Sequence, residues 1–179
     1  TATVEGDLDG SDFFVARLDS SGKPLWVTSL GATPASFAAG EPTCFLALGG
    51  DGGIHVAGTF AGTLRFGENL GAVGKHDVFV GKLDPTGVPL WGHAIGAEER
   101  DQRAGGLAVD ALGNVVLAGD LRGKATMGGQ MTLESDGDAS DAFLASYDVD
   151  GELRWAARYG SKAQDHAGAV SIDAAGDIL

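Results

Sequence analysis

Apolar positions recur every second residue in three stretches written almost alike: DFFVARLDSSGKPLW at 12–26, DVFVGKLDPTGVPLW at 77–91 and DAFLASYDVDGELRW at 141–155. Period-two alternation marks a β-strand, because successive side chains project from opposite faces. Phe14, Ala16 and Leu18 share one face, with Phe79, Gly81 and Leu83 or Phe143, Ala145 and Tyr147 as counterparts. Phe13, Val15 and Arg17 share the other, matched by Val78, Val80 and Lys82. Strands apolar on both faces near one end and charged near the other suit a sheet held between two neighbours. Its far end, Lys82 included, would then reach solvent. The copies also carry Trp26, Trp91 and Trp155, spaced 65 and then 64 residues apart.

A second block sits between these copies: LALGGDGGIHVAG at 46–58, LAVDALGNVVLAG at 107–119 and VSIDAAGDIL at 170–179. Two hairpin types therefore alternate three times. Five of their four-residue turns (19–22, 84–87, 110–113, 148–151 and 173–176) begin with Asp and end with Gly. Asp84 and Gly87 bracket one that holds Pro85, and Asp110 and Gly113 bracket another. Asp accepts hydrogen bonds from the turn's own amides, Pro pre-sets φ, and Gly takes the positive φ that returns the chain to the next strand. The sixth turn, 49–52, keeps Gly52 and lacks the leading Asp.

These features predict an all-β protein built of β-propeller blades, each of four antiparallel strands, about three blades in this chain. The repeat units fall at approximately 1–62, 63–123 and 124–179. Small residues such as Ala104, Gly105 and Gly106 would let inner strands crowd an axis, and the segments after Gly62 and Gly123 read as linkers. A ring takes roughly four to eight blades. Three imply either a longer protein that supplies the rest or a second chain that pairs end to end to complete the ring. The alternative closing within one chain is the β-trefoil, also three repeats of four strands, although the Gln-x-Trp string of its lectin members is absent.

Composition narrows the partners more than the fold. The 30 glycines are more than twice the roughly 7% of average usage, as a turn-rich chain requires. With 12 Lys and Arg against 25 Asp and Glu, the net charge is −13, which makes nucleic acid and anionic membranes poor partners. No apolar run approaches the roughly 18 residues of a membrane-spanning helix, so no membrane insertion is expected. The chain opens at Thr1 without an apolar leader, as a mature or excised piece would. Cys44 is the single cysteine, so one chain has no internal disulfide and no thiolate cluster. It stands where Gly105 and Gly168 stand and reads as a small buried residue.

The strings DVFVGKLDPTGVPLW and VDALGNVVLAG closely resemble the bacterial β-propeller repeat abbreviated SBBP. Its units run Asp-aromatic-Val-Ala-Lys-Leu-Asp-Pro-x-Gly, then Trp, then a Val-Asp-x-x-Gly-Asn-Val hairpin. The resemblance covers essentially the whole chain. It implies a propeller scaffold of the kind found in secreted and surface proteins, commonly myxobacterial, and hence an extracellular or cell-envelope location. On activity it is silent.

The most distinctive polar pattern is acidic. Asp7, Asp9 and Asp12, and again Asp136, Asp138 and Asp141, form a D-x-D-x-S-D string ahead of the Phe-bearing strand. Carboxylates at that spacing on a Gly-containing loop could wrap Ca²⁺, which takes six to eight oxygen ligands. A solvated loop in which Asp12, Asp77 and Asp141 orient the next strand explains the same residues and is the preferred reading. Trp26, Trp91 and Trp155 could stack on sugars, but recurrence at one place in every copy favours packing between blades.

His55, His76, His93 and His166 fall at non-equivalent positions without ligand spacing, and no nucleophile elbow, P-loop or HExxH string is present. The expectation is a non-enzymatic scaffold or binding module without a cofactor, presenting loops to a protein or ligand. A carbohydrate-binding propeller is the first alternative, and an enzyme with a central-channel site the second. Binding residues are expected where the copies disagree, above all in 92–103.

Overall fold

The computed structural model describes residues 13–33, 44–98, 100–129 and 131–179, so the first acidic loop, with Asp7, Asp9 and Asp12, lies outside the described residues. The described chain is all-β. Strands β1 (Phe13–Leu18) and β2 (Pro24–Leu30) form an antiparallel hairpin, followed by the short β3 (Ala32–Thr33). Next come β4 (Cys44–Leu48), β5 (Ile54–Phe60), β6 (Thr63–Phe66), β7 (Glu68–Gly71), β8 (Asp77–Leu83) and β9 (Pro89–Ile95). Of these, β4, β5, β8 and β9 make a four-stranded antiparallel sheet in that order, while β3, β6 and β7 make a smaller one. The pattern then recurs in β10 (Arg103–Val109), β11 (Val115–Leu121), β12 (Lys124–Thr126), β13 (Thr132–Glu134), β14 (Asp141–Tyr147) and β15 (Leu153–Tyr159). Here β10, β11, β14 and β15 form the four-stranded sheet and β12 pairs with β13. Among the described residues the sheets close neither a barrel nor a ring.

Turn chemistry builds these hairpins. In all five Asp-led turns the carboxylate Oδ1 accepts the amides two and four residues on, at 2.8–3.0 Å. The closing glycines take φ between 81° and 90°, the left-handed region that other residues enter at a cost. The segments expected as linkers after Gly62 and Gly123 are instead the short hairpins β6–β7 and β12–β13, spliced between the second and third strands of each sheet. At the other end of the chain, 170–179 is a minimal hairpin, joined by a bridge between Ile172 and Ile178.

The core lies between sheets. Val15 and Leu30 from the first hairpin meet Val56, Phe60, Phe79 and Leu83 on one face of the second sheet. Its other face, with Ala57, Val78, Val80 and Ile95, meets Leu117, Phe143 and Tyr147 of the third. Strand β8 is accordingly buried along its whole length, as the double-sided apolar pattern requires. The glycines of β10 permit close approach. A Cβ on Gly105 would collide with the Ala167 carbonyl oxygen, and one on Gly106 would lie 2.9 Å from the Val170 amide nitrogen.

Two expectations are corrected. Lys82 does not reach solvent; it is buried, because Asp51 from the β4–β5 turn folds over it. Cys44 is exposed, because β4 is the edge strand of its sheet.

Candidate functional site

The joints between sheets are built from repeated contacts. Trp26 Nε1 donates to the Pro85 carbonyl (3.0 Å), Arg17 donates to the same oxygen (3.1 Å), and Thr28 Oγ1 donates to the Gly87 carbonyl (2.7 Å). One sheet further on, Trp91 Nε1 donates to the Val149 carbonyl (3.1 Å) and His93 Nε2 to the Gly151 carbonyl (2.7 Å). Each indole thus caps the Asp-x-x-Gly turn of the following sheet. A Cβ on Gly87 would come within 2.6 Å of the Trp26 ring, and one on Gly151 within 2.7 Å of Trp91. Glycine there serves both the turn and the neighbour.

A second joint recurs on the inner strands. The Ala104 amide donates to Thr59 Oγ1 (3.0 Å), and the Ala167 amide donates to Asp120 Oδ1 (2.8 Å). Likewise the Gln102 amide donates to the His76 carbonyl, and the Asp165 amide to the Ser140 carbonyl, both at 2.8 Å.

The second sheet departs from the third in one polar cluster. Where the third sheet carries Leu112, Val116 and Ser146, the second carries Asp51, His55 and Lys82. Lys82 Nζ donates to Asp51 Oδ2 at 2.8 Å. That bond, with the Gly53 amide, holds the Asp51 carboxyl below its ordinary range. His55 faces Lys82 across the strands and meets Trp91 edge-on at 6.0 Å. Among the described residues neither of its ring nitrogens has a hydrogen-bond partner. Burial first, and the Lys82 charge next, push its pKa down to about 4. Trp91 is enclosed further by His93 and Tyr147, whose rings stack at 5.4 Å, and burial raises the Tyr147 phenol while its hydroxyl donates to the Met127 carbonyl. The indole is therefore a half-buried element packed into the joint.

The acidic loop is organised by cations of the chain itself. Asp141 is fully buried; its Oδ2 accepts the Asp136 amide and the Arg158 guanidinium, while Oδ1 has no hydrogen-bond partner among the described residues. Asp138 accepts Arg100 at 3.0 Å. At the equivalent place Asp77 is also fully buried and accepts the Val73 and Gly74 amides, and the position opposite Phe79 that matches Arg158 holds Ala94. Burial raises its pKa against the pull of those amides. Asp136, Asp138 and Asp141 thus share a loop, with two of the three carboxylates turned to guanidinium groups.

The connector expected to bind ligands is largely committed to structure. Asp101 accepts His76 Nδ1 (3.0 Å), and Gln102 exchanges two bonds with the Arg122 backbone, both at 3.0 Å. Neither a family model nor a curated protein matches this chain. Any function is therefore argued from its own geometry. A groove of about 390 Å³ is lined by Val15, Leu18, Trp26, Leu46, Leu48 and Ile54, and one of about 370 Å³ runs past Phe66, Glu68, Pro89 and Trp91. Neither of these two grooves is lined by Lys82, His55 or the acidic loop.

Proposed function

We propose that this chain is a non-enzymatic segment of a β-propeller, a rigid scaffold or binding module of the SBBP kind, serving outside the cell or in its envelope. The observation that carries the reading is the recurrence of the joints: Trp26 on the Pro85 turn, Trp91 on the Val149 turn, and the Thr59 and Asp120 contacts on the inner strands. Equivalent joints, repeated from sheet to sheet, favour one constant rotation, and a constant rotation winds sheets about an axis. Binding then belongs to exposed loop tips such as 73–75, because the 100–102 connector holds the sheets together.

A glycan and protein array probed with the purified chain tests this. Binding at a loop tip, lost on changing that loop with the fold intact, fits the reading; turnover of any arrayed substrate sinks it. Calcium at 136–141 would require Arg158 and Arg100 to release their carboxylates. An unchanged melting temperature in millimolar Ca²⁺ would dispose of that site.

A further inference from the structure

At the joint between the second and third sheets a buried carboxyl group faces other oxygens. Asp77 Oδ2 accepts the Val73 and Gly74 amides at 2.7 and 3.4 Å, while Oδ1, fully buried, has no hydrogen-bond partner among the described residues. Two carbonyl oxygens of the 96–102 connector converge on it. A Cβ on Gly74 would collide with the Arg100 carbonyl oxygen and lie 2.7 Å from that of Ala97 and 2.9 Å from Asp77 Oδ1, so three acceptors surround one point. From the other side, a Cβ on Gly96 would strike the Asp77 carboxyl itself. Glycine at both places lets the carboxyl and the connector approach.

Three acceptors leave a donor missing. In the third sheet the Arg158 guanidinium supplies one to Asp141, but the matching position of the second sheet holds Ala94. Arg100 lends the cluster its carbonyl and turns its guanidinium to Asp138. Across β5 the residue paired with Asp77 is Phe60, which carries no charge. Burial, foremost, raises the Asp77 pKa; the two amides lower it, the Asp101 charge adds to burial, and His76, itself bonded to Asp101, opposes. A cation and a proton are the two species that would fill the gap. Ca²⁺ takes six to eight oxygens, against the three gathered here, whereas a proton needs one oxygen to carry it and one to accept it.

We propose that Asp77 is held as a neutral acid whose hydroxyl donates to a connector carbonyl, that of Ala97 or Arg100, and that this proton latches the connector onto the second sheet. Loss of the proton sets a carboxylate against two carbonyl oxygens. The connector is then pushed away, while the Val73 and Gly74 amides keep their hold on Oδ2. The adjoining bond across the joint, from the Gln102 amide to the His76 carbonyl at 2.8 Å, weakens with it. Because the folded pKa lies above the ordinary value, the latch is closed below that raised pKa and opens as pH rises through it. The corresponding bond of the third sheet, from the Asp165 amide to the Ser140 carbonyl, lies where Arg158 supplies the positive charge and should not respond. The latch stands whether or not the sheets close a propeller.

NMR on the intact chain tests this through the titration of the Asp77 carboxyl carbon and the exchange protection of the Gln102 and Asp165 amides. Taking the ratio of the two protections removes the acid response of the whole fold. The expected result is a carboxyl that titrates above 3.8, with Gln102 protection falling about two- to tenfold relative to Asp165 over the same pH interval, the worth of one net hydrogen bond. Asp77→Asn keeps a donor at every pH, so its ratio should stay flat. A carboxyl that titrates at or below 3.8 overturns the proposal, and so does a ratio that ignores the ionisation of Asp77 or changes equally in the Asn variant. Recovery of the lost protection on adding millimolar Ca²⁺ or Na⁺ overturns it too, by putting a cation in the proton's place.

Discussion

His55 should make the fold acid-sensitive through a single side chain. Its ring is fully buried, its nitrogens are unpaired, Lys82 faces it from β8 and Asp51 lies in the adjacent turn. Burial, with Lys82, takes the pKa from 6.5 to about 4. Between those values the unfolded chain binds a proton that the folded chain refuses, so stability falls as pH drops from 6.5 towards 4. At about 1.4 kcal/mol per pKa unit, the whole effect is about 3 kcal/mol, of which about 2 is already lost at pH 5. His55→Leu removes it, and it also removes two unpaired buried nitrogens that cost about 1–3 kcal/mol each. Relative to the parent, the variant should be equal or better at pH 7.5 and better by a further 2 kcal/mol or so at pH 5, about 4–8 °C in melting temperature for a chain of this size. Urea unfolding of both proteins from pH 4 to 8 measures this difference, in which other titrating groups largely cancel. A parent-minus-variant difference that stays flat across that range would refute the reasoning.

Removing Asp51 leaves Lys82 buried without its carboxylate. Asp51→Asn should cost about 2–4 kcal/mol by urea unfolding, and adding Lys82→Ser, the residue found at 146, should recover most of it. Gly151→Ala and Gly113→Ala face the same positive φ, at 89° and 86°, but only the first drives a methyl into Trp91. The first should therefore cost at least about 1 kcal/mol more in thermal melts. Arg158→Ala strands the buried Asp141 charge and should cost about 3 kcal/mol or more at pH 7. Asp77→Asn should be neutral or stabilising at pH 7, because burial raises the Asp77 pKa and the cost of its ionised form disappears as pH falls through that raised value.

The features legible in the sequence were those written locally. Asp at the start of a turn and Gly at its end determine the hairpin through amides two and four residues away, so five turns could be read without tertiary information. The β6–β7 and β12–β13 hairpins were hidden because their strands are only three or four residues long, too short for alternation to register. Gly62 and Gly67, both with positive φ, were the available signal. The burial of Lys82 depends on Asp51, 31 residues earlier. The clue was the one turn that lacks its leading Asp, which has its carboxylate at the third place instead. The docking of Trp26 and Trp91 on turns 59 and 58 residues away is a relation between sheets. Recurrence marked those tryptophans as packing residues but could not say against what.

The claim that one constant rotation relates successive sheets is tested most directly by spin-label distances between equivalent exposed turn positions, Ser21, Thr86 and Asp150. Labels are placed in pairs in a Cys44→Ser background and diluted with unlabelled chain. The account predicts equal 21–86 and 86–150 distances, and a 21–150 distance about 1.4 to 1.85 times as long, the range for rings of four to eight blades. Unequal near distances, or a far distance twice the near one as in a straight stack, would contradict it.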